Sequence, residues 1–316
     1  MKKVLAVAAL LGLAGAAQAQ VTIYGLVDMS YGKNEIGFPG QKADFFSGGD
    51  NGSSQGNSTT RLGLKGSNSV GSGMKANFQF ETAGITSNGD VGGTGTPFFN
   101  RQAWAGLSGS FGEVRIGKQD SVAFQTMIAY DFNGASNSNS AQQNALAGTF
   151  FGAGGRQDRS VQYISPDMGG LKVQAGMQGK GNVAGAEDNF SVGVTYTAGP
   201  LSVAYTGETK RAVGGNDANA IAGSYDLGMA KVMLGYYDGG KDSRGTTVGV
   251  TVPLGSINVG GIYTLNSDTK AGATELFVNT EIFKGTYAYA EIANLDKSNA
   301  VFTKGDNYAV GVIFTF

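Results

Sequence analysis

The chain has 316 residues, with 23 Lys+Arg against 24 Asp+Glu, so its formal net charge of −1 offers nothing to a nucleic-acid partner. It contains no Cys and no His, which excludes disulfides, thiolate metal sites and Ser-His-Asp catalysis; no cofactor or metal set and no enzymatic centre is expected. Gly is abundant at 53 while Pro is only 5, and charged residues make up 15%, where about 25% is usual.

In chain order, Lys2 and Lys3 form a basic start, Val4 to Ala16 a short apolar stretch, and Ala17-Gln18-Ala19 a small-residue cleavage site. That stretch is too short to span a bilayer as a helix, so 1–19 reads as a cleaved signal peptide and 20–316 as one mature domain. No later segment approaches the 18 uninterrupted apolar residues of a membrane helix, so a membrane location requires a closed barrel.

From there the chain alternates with period two. Met74, Ala76, Phe78 and Phe80 face one way and Lys75, Asn77, Gln79 and Glu81 the other; Leu171–Gln178, Phe190–Tyr196 and Leu201–Thr206 behave alike. Weaker runs start near Val21, Thr59, Phe99, Glu113, Arg156, Ala218, Ala230, Arg244, Ser256, Ala273 and Gly285. The runs 273–283 and 285–294 are mixed, because Phe277, Tyr287 and Tyr289 share a face with Glu275, Glu281 and Glu291. The final run places Tyr308, Val310, Val312, Phe314 and Phe316 on one aromatic face, as the last stave of a barrel next to Val21–Ser30 would.

This predicts sixteen strands. Short turns (67–73, 109–111, 166–170, 199–200, 228, 254–255) alternate with long polar loops, a pattern expected of an outer-membrane barrel. Loop 48–52 (GGDNG) reads as solvated rather than as a calcium site. Segment 120–155 is too long for an ordinary connection and carries Phe124, Met127, Ile128, Tyr130, Phe132, Phe150 and Phe151, so it is expected to be ordered against something.

VTIYGLVD at 21–28, TTRLGLKGSNSVGSGMKANFQFE at 59–81, FFNRQAWAGLSGSFGEVRIGKQD at 98–120 and the aromatic terminus resemble the general porins of Gram-negative bacteria, in their β-proteobacterial branch. The resemblance covers the whole mature chain. It implies an all-β, 16-stranded antiparallel transmembrane barrel in the outer membrane, assembled as a homotrimer among lipid and lipopolysaccharide. It also implies that 120–155 folds into the lumen as a constriction loop, that loop 84–98 is a latch near the trimer interface, and that Phe316 carries the signal read by the barrel-assembly machinery.

Such a channel is defined by what lines and narrows it. With Leu62, Leu64, Val114, Ile116, Val161 and Tyr163 outward, Arg61, Lys65, Arg115 and Arg156 turn inward; if Trp104 faces out, Arg101 faces in. In the resembling porins, basic residues matching Arg61, Arg101 and Arg156 form a ladder opposite the loop. Asp120 and Asp131 are the loop's carboxylates, without the acidic tip common in the family, and this points to a weak anion preference. Lys118 should point outward, pairing at the rim or across a subunit interface with Glu81 or Asp90. The expected function is passive diffusion of ions and small anionic or neutral solutes; the alternatives are a porin preferring phosphate or organic acids, and a barrel-borne enzyme or adhesin.

Overall fold

Alternation with an apolar outer face should curl into a closed sheet, and it does. The computed structural model describes residues 20–50, 55–91, 96–148 and 154–316; the expected signal segment, Phe150 and Phe151 lie outside these. The strands are β1 (Gln20–Asn34), β2 (Asp44–Ser47), β3 (Arg61–Gly71), β4 (Met74–Ala83), β5 (Gln102–Gly109), β6 (Gly112–Asp120), β7 (Arg156–Ile164), β8 (Leu171–Gln178) and β9 (Asn189–Ala198). They continue with β10 (Leu201–Glu208), β11 (Ala218–Asp226), β12 (Lys231–Asp238), β13 (Arg244–Leu254), β14 (Ile257–Asn266), β15 (Gly272–Phe283), β16 (Thr286–Leu295) and β17 (Gly305–Thr315).

Every neighbour is antiparallel, and β1 closes the ring by pairing Leu26–Asn34 with Asn307–Thr315 of β17. On its other edge β1 pairs with β3 through Gln20–Leu26 and with β2 through Met29–Gly32. The short β2 therefore shares one stave position with β3, leaving sixteen staves. It falls in the long connection between β1 and β3, docked by an edge-on contact of Phe45 with Tyr31 at 5.1 Å.

The outer face is apolar and uncovered: Ile221, Leu234, Ile292 and Val310 are exposed, while their inward neighbours Ala222, Met233, Ala293 and Ala309 are buried. That inversion suits a lipid solvent. Short turns join the staves on one side, as at Gly199–Pro200, where Gly199 takes φ +56, a conformation most side chains avoid. At the seam, Gly25 and Phe316 exchange backbone hydrogen bonds of 3.0 and 3.2 Å, and a Cβ on Gly25 would strike the Phe316 ring.

Candidate functional site

The lumen is divided by the segment between β6 and β7. Ser121 caps α1 (Val122–Met127) by accepting from the Phe124 amide at 3.0 Å, a short 3₁₀ turn follows at Ile128–Tyr130, and Ser140 caps α2 (Ala141–Ala145). Met127, Tyr130, Ala141, Ala145 and Leu146 pack on inward residues of the far wall, including Ala204, Ala220, Ala222, Tyr237, Ile262 and Phe277. Polar contacts fix the same seat. Asn133 Nδ2 donates to Glu275 and to Glu291, both at 2.7 Å; Ser136 and Asn139 donate to Glu291 at 2.7 Å, and the Ala141 amide donates to Glu275 at 3.0 Å. Asn57 Nδ2 also reaches Glu291, at 3.0 Å, while Tyr289 Oη and the Ser58 amide donate to Asp28. These carboxylates are buried. Glu275 and Glu291 were legible only through the mixed faces of β15 and β16, and Asp28 of β1 gave no signal; together they form the floor beneath the loop.

Asp131 belongs to this seat. It is buried, accepts from the Ser140 hydroxyl at 2.8 Å, and faces away from the basic wall. Burial pushes its carboxyl above the ordinary carboxylate range, while bonds from Ser140 and the Ala135 and Asn133 amides pull it part of the way back.

The other side of the waist is wall. Arg61, Arg101 and Arg156 gather at the upper ends of β3, β5 and β7 around an opening of about 570 Å³. Arg101 Nε donates to Glu81 at 2.5 Å, with Arg61 Nε 4.0 Å from the same carboxylate; Arg156 Nε is 2.5 Å from Asp120 and its guanidinium lies 4.5 Å above the Phe124 ring. Tyr24 Oη also donates to Glu81, at 2.8 Å. The loop residues facing this row, among those described, are Phe124, Ile128, Gly134, Ala135, Asn137, Gln143, Gly148 and Gly155, none of them charged.

Several sequence expectations change here. Asp120 is not a loop carboxylate across the pore: it ends β6 on the basic wall itself, in register with Arg156. Glu81 is not outward with Lys118, since β4 alternation turns it into the lumen between Arg61 and Arg101. Trp104 faces inward, 6% exposed, with the Arg115 guanidinium 4.4 Å from its ring centroid. Arg101 still reaches the lumen because it precedes β5, where strand parity no longer applies. Lys65 and Arg115 face inward as expected but line a separate recess towards the short turns, not the waist. Lys118 lies at a bulge of β6 opposite outward Ala103 and makes no ion pair among the described residues; exposed Asp90 bonds back to Thr86 within its own loop. That loop is tied to its own barrel by Ser87 donating to Asp50 at 2.9 Å. Phe316 is exposed on the outer face, stacked on Phe314 at 5.9 Å.

A family model described as Gram-negative porin matches residues 6–300. An outer membrane porin protein of Bordetella pertussis is 33% identical, over 81% of this chain and 74% of that one. Outer membrane porin protein 32 of Delftia acidovorans is also 33% identical, over 73% and 68%. Among solved structures, an anion-selective porin from Comamonas acidovorans superposes with a TM-score of 0.74 at 24% identity, covering 95% of this chain and 100% of that one. The trimer form of OmpT from Vibrio cholerae gives 0.64 at 17% identity, covering 94% and 99%. The chain belongs to the Gram-negative porin family and is an outer-membrane channel protein.

Proposed function

We propose that the channel passes small solutes by passive diffusion with a weak preference for anions, and that Arg61, Arg101 and Arg156 set that preference. The observation that carries the reading is the asymmetry of the waist: three guanidiniums and two carboxylates on one side, and an uncharged loop face on the other. Guanidinium stays charged at any relevant pH, and a narrow, low-dielectric constriction concentrates its field. Because Glu81 and Asp120 each engage one Arg, the surplus at the waist is a single positive charge, which supports a mild preference. The Comamonas acidovorans neighbour, described as anion-selective, agrees with this reading.

We further propose a homotrimer, inserted by the barrel-assembly machinery through the aromatic end at Phe316 and bounded elsewhere by lipid and lipopolysaccharide. An outward aromatic cluster at the start of the barrel, with Phe80 5.8 Å from Phe78 and 5.1 Å from Phe99, suits the contact between copies. Segment 1–19 serves export, and Lys118 lies at the rim of the contact. The test is the reversal potential of the purified channel in a planar bilayer under a potassium chloride gradient. Chloride preference with steps in groups of three is expected, and clear potassium preference sinks the reading. Saturation by one anion would favour a substrate-preferring porin instead.

A further inference from the structure

Towards the short turns, on the same wall as the waist, lies a second recess of about 570 Å³, within the range of small-molecule pockets. Lys65, Lys75 and Arg115 line it against one carboxylate, Glu113, so it holds two surplus positive charges. Two of its three cations are held on aromatic supports: Lys65 Nζ lies 5.0 Å from the Tyr24 ring centroid and Arg115 lies on Trp104. Trp104 is itself fixed, donating Nε1 to Gln102 at 3.0 Å. Glu113 takes Arg115 Nη2 at 2.6 Å, which occupies one edge of the guanidinium while Trp104 covers one face; 24% of the side chain stays exposed to the recess.

We propose that this recess is a binding station for aromatic carboxylates, separate from the waist. A flat ring stacks on the open side of the Arg115 guanidinium, continuing the layer begun by Trp104, and its carboxylate is met by the ammonium groups of Lys65 and Lys75. A simple inorganic anion uses only the charge, and a neutral ring only the stack. The waist differs in that the ring under its guanidinium, Phe124 beneath Arg156, belongs to the loop, and no lysine lies among its described lining residues to meet a carboxylate. The proposal rests on the lumen being an open channel but not on its ion preference.

Trp104 is the sole tryptophan, so its fluorescence reports on the recess directly. Detergent-solubilised full-length protein is titrated with benzoate, acetate and benzamide. Benzoate should give a saturable change, with acetate and benzamide each needing about tenfold more, as expected when a charge-assisted contact or a stack is missing. Arg115→Gln should weaken benzoate about tenfold, and the double change Lys65→Met with Lys75→Met should do the same with Trp104 and its neighbour intact. The double variant decides the matter if Arg115→Gln does not assemble. Arg101→Ser should leave the titration in place while lowering chloride preference. Equal responses to acetate and benzoate, a response that never saturates, or a double variant that binds as before would overturn the proposal. A channel that binds benzoate yet shows no chloride preference would instead sink the waist reading and leave this one standing.

Discussion

Along β3–β7 the carboxylates of Glu81, Glu113 and Asp120 each lie 2.5 or 2.6 Å from a guanidinium, Glu113 and Asp120 partly open to the lumen and Glu81 buried between Arg61 and Arg101. Across the barrel Glu275 and Glu291 are buried and have no ion pair among the described residues; amides and a hydroxyl hold them instead. The same functional group thus does two jobs. Where water and a cation share the site, the carboxylate trims a field that passing ions feel. Where the site is buried and the partners are neutral donors, the carboxylate organises structure, because an unmet buried charge is too costly to leave.

The comparison breaks most visibly at Glu291. Glu291→Leu removes one acceptor each from Asn57, Asn133, Ser136 and Asn139, and at about 0.5–1.5 kcal/mol per lost hydrogen bond the seat of the loop should loosen. The expected outcome is a lower unfolding temperature together with flickering open-channel current; a trace as quiet as wild type would show that the loop does not depend on this pin. Next in size, Arg101→Ser removes the nearer partner of Glu81 and should reduce the chloride-to-potassium permeability ratio roughly threefold, read from the reversal potential. Glu81→Gln on the same wall should move the ratio the other way, by about twofold; no change there would mean that the carboxylate is silent.

Asp131→Asn gives the smallest effect and concerns pH. Burial raises the Asp131 carboxyl, so the folded protein holds that proton more tightly than the unfolded chain does. Its contribution is therefore present in acid and lost as pH rises through the folded value. Asparagine mimics the protonated form, so the variant should lose part of the decline in melting temperature between acid and neutral pH. Parallel curves for the two proteins would remove Asp131 from the account.

The staves were readable because lipid imposes a local rule: alternate residues must be apolar wherever the outer face meets hydrocarbon, and each predicted run starts within a few residues of a strand. The inner face obeys no such rule. Ala204, Ala220 and Ala222 are small because the loop lies on them, and Phe277 packs into the same cluster, a relation between residues far apart in sequence. Parity found Arg61, Lys65, Arg115 and Arg156 inside but misdirected Trp104, whose apolar ring suggested lipid until Arg115 supplied a lumenal partner. It put Glu81 on the polar face of β4 but could not give its partners, nor place Asp120, since that required knowing which strands are neighbours and in what register.

The loop leaves the wall at β6 and returns at β7, yet its body is fastened to β14–β17 on the far side, as when Asn307 donates to Ser138 O at 2.6 Å and Asn266 to Ala145 O at 3.0 Å. It is therefore a strut across a thin-walled tube. A hollow cylinder under sideways load flattens along one diameter, and a chord along that diameter resists both flattening and bulging. The segment that narrows the passage thereby also keeps its cross-section round.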